Sequence, residues 1–131
     1  MQAKLQLVKW DEEPMVQKNA DYPVNKVHAE YELSGDLTGK ATVDYYLFYL
    51  LEDGHHSVAL TSGLFAFSGN FKGATGKFVA TESGRFDKGT LASPGTIVHA
   101  DGGLAALKGR YTYSFDSQGL SLELDVSLSE E

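Results

Sequence analysis

Histidines, carboxylates and tyrosines are the side chains of this sequence that could do chemistry. The four histidines, His28, His55, His56 and His99, raise the question of a metal. His55 and His56 are adjacent, so on a strand they point to opposite faces and cannot both ligate one ion. Zinc needs three or four convergent ligands with outer support, and no spacing here supplies them. No metal site and no cofactor are expected. Among the carboxylates, Glu30 and Glu32 share a strand face with His28 and read as solvated. Asp44 interrupts the apolar segment between Val43 and Tyr45, and Glu82 closes the strand Lys77–Thr81 just before Ser83-Gly84. A carboxyl buried inside a barrel has a raised pKa and can serve as acid or base. Glu82 is therefore the candidate catalytic residue, and Asp44 a candidate for ligand binding. Tyr45 and Tyr111 are the candidate walls of a cavity, since a tyrosine offers an apolar body and a polar tip. Tyr31, Tyr46, Tyr49 and Tyr113 could share that role or serve as ordinary core.

Several chemistries are excluded. Without cysteine there is no disulfide, thiolate metal site or cysteine nucleophile. No Gly-x-Ser-x-Gly elbow presents a serine. Glycine turns recur at Ser34-Gly35, Ser68-Gly69, Ser83-Gly84 and Asp101-Gly102, each soon followed by an apolar residue. A phosphate-cradling loop would need a helix after it, and strands follow instead. These turns read as punctuation with a plug residue over the end of a sheet. With 11 basic against 18 acidic residues the net charge is −7, which argues against nucleic acid as a partner.

The elements that must position these residues are strands. At 131 residues, 42% hydrophobic and 22% charged, the chain fits one domain with its own core, 1–131. Leu120, Leu122, Leu124, Val126 and Leu128 alternate with polar residues, a period of two that puts the apolar set on one face. Val27 to Leu33 and Gly109 to Phe115 repeat the pattern. The spacing predicts strands at 2–10, 24–35, 38–52, 55–68, 75–83, 85–93, 95–100, 107–116 and 119–128. An irregular loop is expected at 11–23, where two prolines stand among acids and amides. Glu52-Asp53-Gly54 and Asp116-Ser117-Gln118-Gly119 read as hairpin turns. Consecutive antiparallel hairpins imply an all-β fold, a single up-and-down β-barrel of about eight strands, which also leaves few exposed edges. The start has no apolar leader. The longest apolar run, Tyr45–Leu51, is seven residues, against roughly 20 for a membrane helix. A soluble, cytoplasmic protein with no membrane partner is expected.

Three groups of residues resemble a known family. They are Trp10-Asp11-Glu12-Glu13-Pro14; Ser68-Gly69 through Gly76-Lys77-Phe78-Val79 with Ser83-Gly84-Arg85-Phe86-Asp87-Lys88-Gly89; and Gly103-Leu104-Ala105-Ala106-Leu107-Lys108-Gly109. The family is the bacterial domain-of-unknown-function family 3224. The resemblance implies a small barrel grouped with the allene oxide cyclase barrel and brings no established activity with it.

From Val43 to Leu51 both strand parities are apolar. If Val43 and Tyr45 face inward, Tyr46, Phe48 and Leu50 are left outside beside Asp44, and an apolar patch of that kind marks an interface. A homodimer is expected, with a trimer as the variant that the resembling barrels suggest. Two functions fit the sequence: a non-catalytic barrel that binds a small apolar molecule or serves as scaffold, or a cavity enzyme, an isomerase or cyclase, acting through Glu82.

Overall fold

Period-2 patterning becomes nine strands in the computed structural model, which describes residues 1–14, 24–51, 58–87, 90–116 and 119–128. They are β1 (Gln2–Pro14), β2 (Val24–Gly35), β3 (Leu37–Leu51), β4 (Val58–Phe71), β5 (Ala74–Asp87), β6 (Thr90–Ala92), β7 (Gly95–Gly102), β8 (Leu107–Asp116) and β9 (Gly119–Leu128). Each of β1 to β5 pairs antiparallel with the next. β7 and β8 continue from β5, and β9 returns to β1. Eight strands thus close a ring, and the three-residue β6 lies beside the end of β5. The expected up-and-down barrel is the fold.

Cross-strand register explains the core. Ala29, Val43, Phe65 and Ala80 stand opposite one another on four consecutive strands, and all four are buried. Small residues flank large ones in this row, so side chains from a curved sheet fill the interior without clashing. Phe65, Phe67 and Phe78 stack within it at centroid distances of 5.1–6.0 Å. At one end Leu37, Phe71 and Leu104 are buried plugs beside the turns, as the glycine pattern implies.

Some boundaries differ from the sequence reading. β5 runs unbroken through Ser83-Gly84, which was expected to turn. The β4–β5 turn falls at Lys72-Gly73, inside the expected gap 69–74, and both residues have positive φ, 50° and 84°. Those signs match the tight hairpin turn that follows strand twist. Asp11 to Pro14, expected in a loop, extend β1 because β2 offers matching polar partners. Asn25 Nδ2 donates to Glu12 Oε2 at 2.7 Å, and Pro14 lies opposite Asn25. The remaining expected loop residues, 15–23, lie outside the described residues, as do Glu52-Asp53-Gly54, His55 and His56. So do Ser117 and Gln118 of the second expected turn, and the side chains of Tyr49 and Leu50. Among the described residues no helix is long and apolar enough to cross a membrane.

Candidate functional site

One row of paired residues crosses five strands as Tyr45, Gly63, Glu82, Gly95 and Tyr111. Glu82 therefore has a glycine on each side. A Cβ on Gly95 would overlap the ring of Tyr111. Without one, that ring lies across β7 and its hydroxyl donates to Oε2 of Glu82. Tyr113, two residues along the same face of β8, donates its hydroxyl to the same oxygen at 2.5 Å. The two tyrosine rings meet edge to face at 5.8 Å, and Phe65 packs on Tyr111 at 5.2 Å, so packing fixes the donors.

Glu82 is 6% exposed. Burial pushes its pKa up, and the two tyrosine hydrogen bonds, which favour the charged form, offset that only in part. The phenols respond to the same conditions. Burial and the Glu82 charge raise Tyr31 to about 12, and raise Tyr111 and Tyr113 further. All three remain donors near neutral pH.

A second polar pair lies one step along the barrel. Thr61 and Ser93 are buried, and Thr61 Oγ1 donates to Ser93 Oγ at 3.0 Å. They meet across Gly84, where any Cβ would collide with the backbone of Ala92 and Ser93. Glu82, Tyr113, Thr61 and Ser93 form one side of a cavity of about 30 Å³, and Tyr31, Val43, Tyr45 and Leu120 form the other. This is a small chamber with a carboxyl and hydroxyls on one wall and aromatic and aliphatic carbon on the opposite wall.

The chain matches the family described as a protein of unknown function, DUF3224, over residues 1–126. It belongs to that family. The crystal structure of a DUF3224 protein of unknown function from Shewanella oneidensis is similar to it, with a TM-score of 0.79 and 14% identity. The similarity covers 98% of this chain and 96% of that one, and at this identity it establishes the shared fold. No curated protein matches the chain.

Two of the four residues singled out in the sequence of this DUF3224 chain line the cavity, and a third touches one of them. Glu82 and Tyr45 line it; Tyr111, expected as a wall, instead lies behind Glu82 and donates to it, and Tyr113 takes the place on the lining. Asp44 does not join them. Its strand parity places it outside, where Asp44 Oδ1 lies 2.6 Å from His28 Nδ1, and Glu30 Oε2 takes Nε2 at 2.9 Å. These hydrogen bonds, that of Asp44 first, raise the His28 pKa. His99 is exposed beside Asp101. Among the described residues no three His, Asp or Glu side chains group as a metal site requires.

Sequence reasoning passed over Thr61 and Ser93. Their signal was the set of glycines at 63, 84 and 95, of which Gly84 read as a turn residue, and all of which sit within or at the start of strands. A glycine in a strand marks close approach by something else, and here side chains cross over Gly84 and Gly95.

Proposed function

We propose that the barrel binds a small molecule and that the Glu82 cavity is its seat, without catalysis. The observation that carries this reading is a buried carboxyl answered by hydroxyls and, among the described residues, by no cation. Removing a carboxyl from water in this way costs stability, and an apolar side chain would fill the same space without the cost. Groups with such shifted pKa values concentrate at binding and catalytic sites. Oε2 already accepts two hydroxyls, so Oε1 and the Thr61–Ser93 pair are left to serve a ligand. The raised pKa favours the protonated acid, a hydrogen-bond donor, which suits a neutral acceptor such as a carbonyl or hydroxyl oxygen. A volume of about 30 Å³ holds little more than a water molecule. It is roughly a tenth or less of a complete ligand pocket. The cavity accordingly takes only the polar head of a ligand, whose apolar remainder lies along Tyr31, Tyr45 and Leu120.

Native mass spectrometry of the protein purified from its own host tests this. A small organic mass retained by the wild type, and lost from Glu82→Leu and Thr61→Leu, is expected. An empty barrel in every preparation overturns the reading and leaves a scaffold.

One feature favours a second reading, a cavity enzyme that isomerises or cyclises its ligand. Two tyrosines hold one carboxyl oxygen and leave the other to exchange a proton with a bound molecule. Glu82→Gln separates the readings, because it keeps the size and hydrogen bonding of the side chain. Under the second reading the variant retains the ligand and accumulates it unconverted.

A further inference from the structure

The barrel wall formed by β2 to β5 has an outer face that does not alternate with the core in the usual way. Tyr46, Phe48, Leu60 and Leu64 project from it, 37–51% exposed. Register makes them one patch: Phe48 lies directly opposite Leu60, Tyr46 is one step further along β3 opposite Ser62, and Leu64 is two steps along β4, opposite Asp44. Large exposed aromatic and aliphatic groups gathered in this way mark an interaction surface.

Charge identifies what fits it. Arg85 stands at one corner of the face, opposite Leu60 on β5. Glu30 stands at the diagonally opposite corner on β2, with Asp44 one step inward on β3 beside Leu64, and both acids are hydrogen-bonded to His28. Among the described residues Arg85 makes no ion pair. A two-fold axis lying in the interface along the other diagonal exchanges the two corners. It sets the Arg85 of each copy over the partner's Glu30, with Asp44 next inward from it, and brings the apolar patches into contact between them. The strands of the two sheets then cross near a right angle, one of the two common ways that sheets pack. Self-complementarity of this kind is what an isologous dimer requires. It also lets a chain of net charge −7 meet its own copy through a face where opposite charges are paired. Four strands about 4.8 Å apart, each with four outward residues about 6.8 Å apart, give a flat footprint of roughly 500 Å². Side-chain relief brings this towards the roughly 800 Å² per partner of a standard interface.

We propose that this face joins two copies of the chain in a crossed two-fold dimer. The proposal is independent of the interior cavity, since every residue it uses points outward.

Charge reversal tests it by sedimentation equilibrium. The wild type should have twice the 14.2 kDa mass of the chain. Arg85→Glu alone, and Glu30→Arg with Asp44→Arg in a second protein, should each weaken association at least about tenfold, because each sets like charges together twice per dimer. Mixing the two variants makes every corner attractive again, so a heterodimer of near wild-type affinity should form. A misfolded variant could not be rescued in this way. Leu64→Glu, at the centre, should give a monomer that mixing does not rescue. A wild type that is monomeric at every concentration overturns the proposal, and so does a three-chain assembly. Charge variants that associate as the wild type does, or that fail to recombine, overturn it as well.

Discussion

Tyr113 and Glu82 lie on strands that are not neighbours, yet their side chains meet at 2.5 Å across β7. The strand between them contributes Gly95 at the crossing, so the Tyr111 ring also reaches over to the same oxygen. Both hydroxyls stabilise the charged carboxylate and oppose the effect of burial. Removing either donor should therefore raise the Glu82 pKa further. Tyr111→Phe and Tyr113→Phe should each move the titration of the Glu82 carboxyl carbon to higher pH, followed by carbon-13 NMR. Each should also cost about 1–3 kcal/mol of stability at pH values where Glu82 is ionised. An unmoved titration in both variants would remove the tyrosines from the site.

Stability should fall with rising pH on account of two groups, the fall beginning near pH 4.5 for one and near 6.5 for the other. Glu82 has a folded pKa above its ordinary 4.5, so the folded state binds the proton more tightly. That contribution is complete below 4.5 and is lost as pH rises through the folded value. His28 is raised above 6.5 by Asp44 and Glu30, and its contribution is likewise present below 6.5 and lost above its folded pKa. Urea midpoints measured across pH should show that Glu82→Gln flattens the fall that begins near 4.5 and raises stability near neutrality. His28→Gln should flatten only the fall that begins near 6.5, and less strongly, since its side chain is partly open to solvent.

Gly95→Ala addresses the same architecture from the backbone. The added methyl would occupy the volume of the Tyr111 ring. The ring must swing off Glu82, leaving a buried carboxyl with one donor fewer. Overpacking typically costs about 1–3 kcal/mol, and the lost hydrogen bond adds to it. Gly73→Ala is the control, because its side chain would meet open space and only the positive φ of 84° is disfavoured. A cost of about 1 kcal/mol is expected there. Similar thermal midpoints for the two variants would contradict the crossing of Tyr111 over β7.

Alternation made the barrel legible because it reports which residues share a face. Leu122 declares its orientation through its neighbours, and so do the β8 residues on either side of Tyr111; Val43 does not, because both parities of its strand are apolar. Glu82 stood out because a carboxyl closes the strand Lys77–Thr81 just before Ser83-Gly84. Closure beyond nearest neighbours was not legible. Nothing local tells that Tyr113 crosses a strand to reach Glu82, or that Thr61 finds Ser93, 32 residues away. Asp44 shows the limit from the other side. Its aromatic neighbours suggested burial, but in a strand the residues on either side point the opposite way, and register gave it to His28.

The last strand offers the plainest test of facing. Leu122 is fully buried and Leu124 is 7% exposed, while Glu123 between them is exposed and accepts a hydrogen bond from Gln2 Nε2 at 3.0 Å. Truncating a buried leucine loses its transfer free energy and leaves a cavity, so Leu122→Ala and Leu124→Ala should each cost at least about 2 kcal/mol. Leu122 should be the costlier, because it lies opposite Ala3 and Tyr113 at the β1–β9–β8 junction that closes the ring. Glu123→Ala removes one solvent-exposed hydrogen bond and should cost less than about 0.5 kcal/mol. Chemical denaturation of the three variants decides the matter. Comparable urea midpoints for the glutamate and leucine variants would mean that β9 does not present its leucines to the core, and the closure of the barrel through β1 and β9 would fall with it.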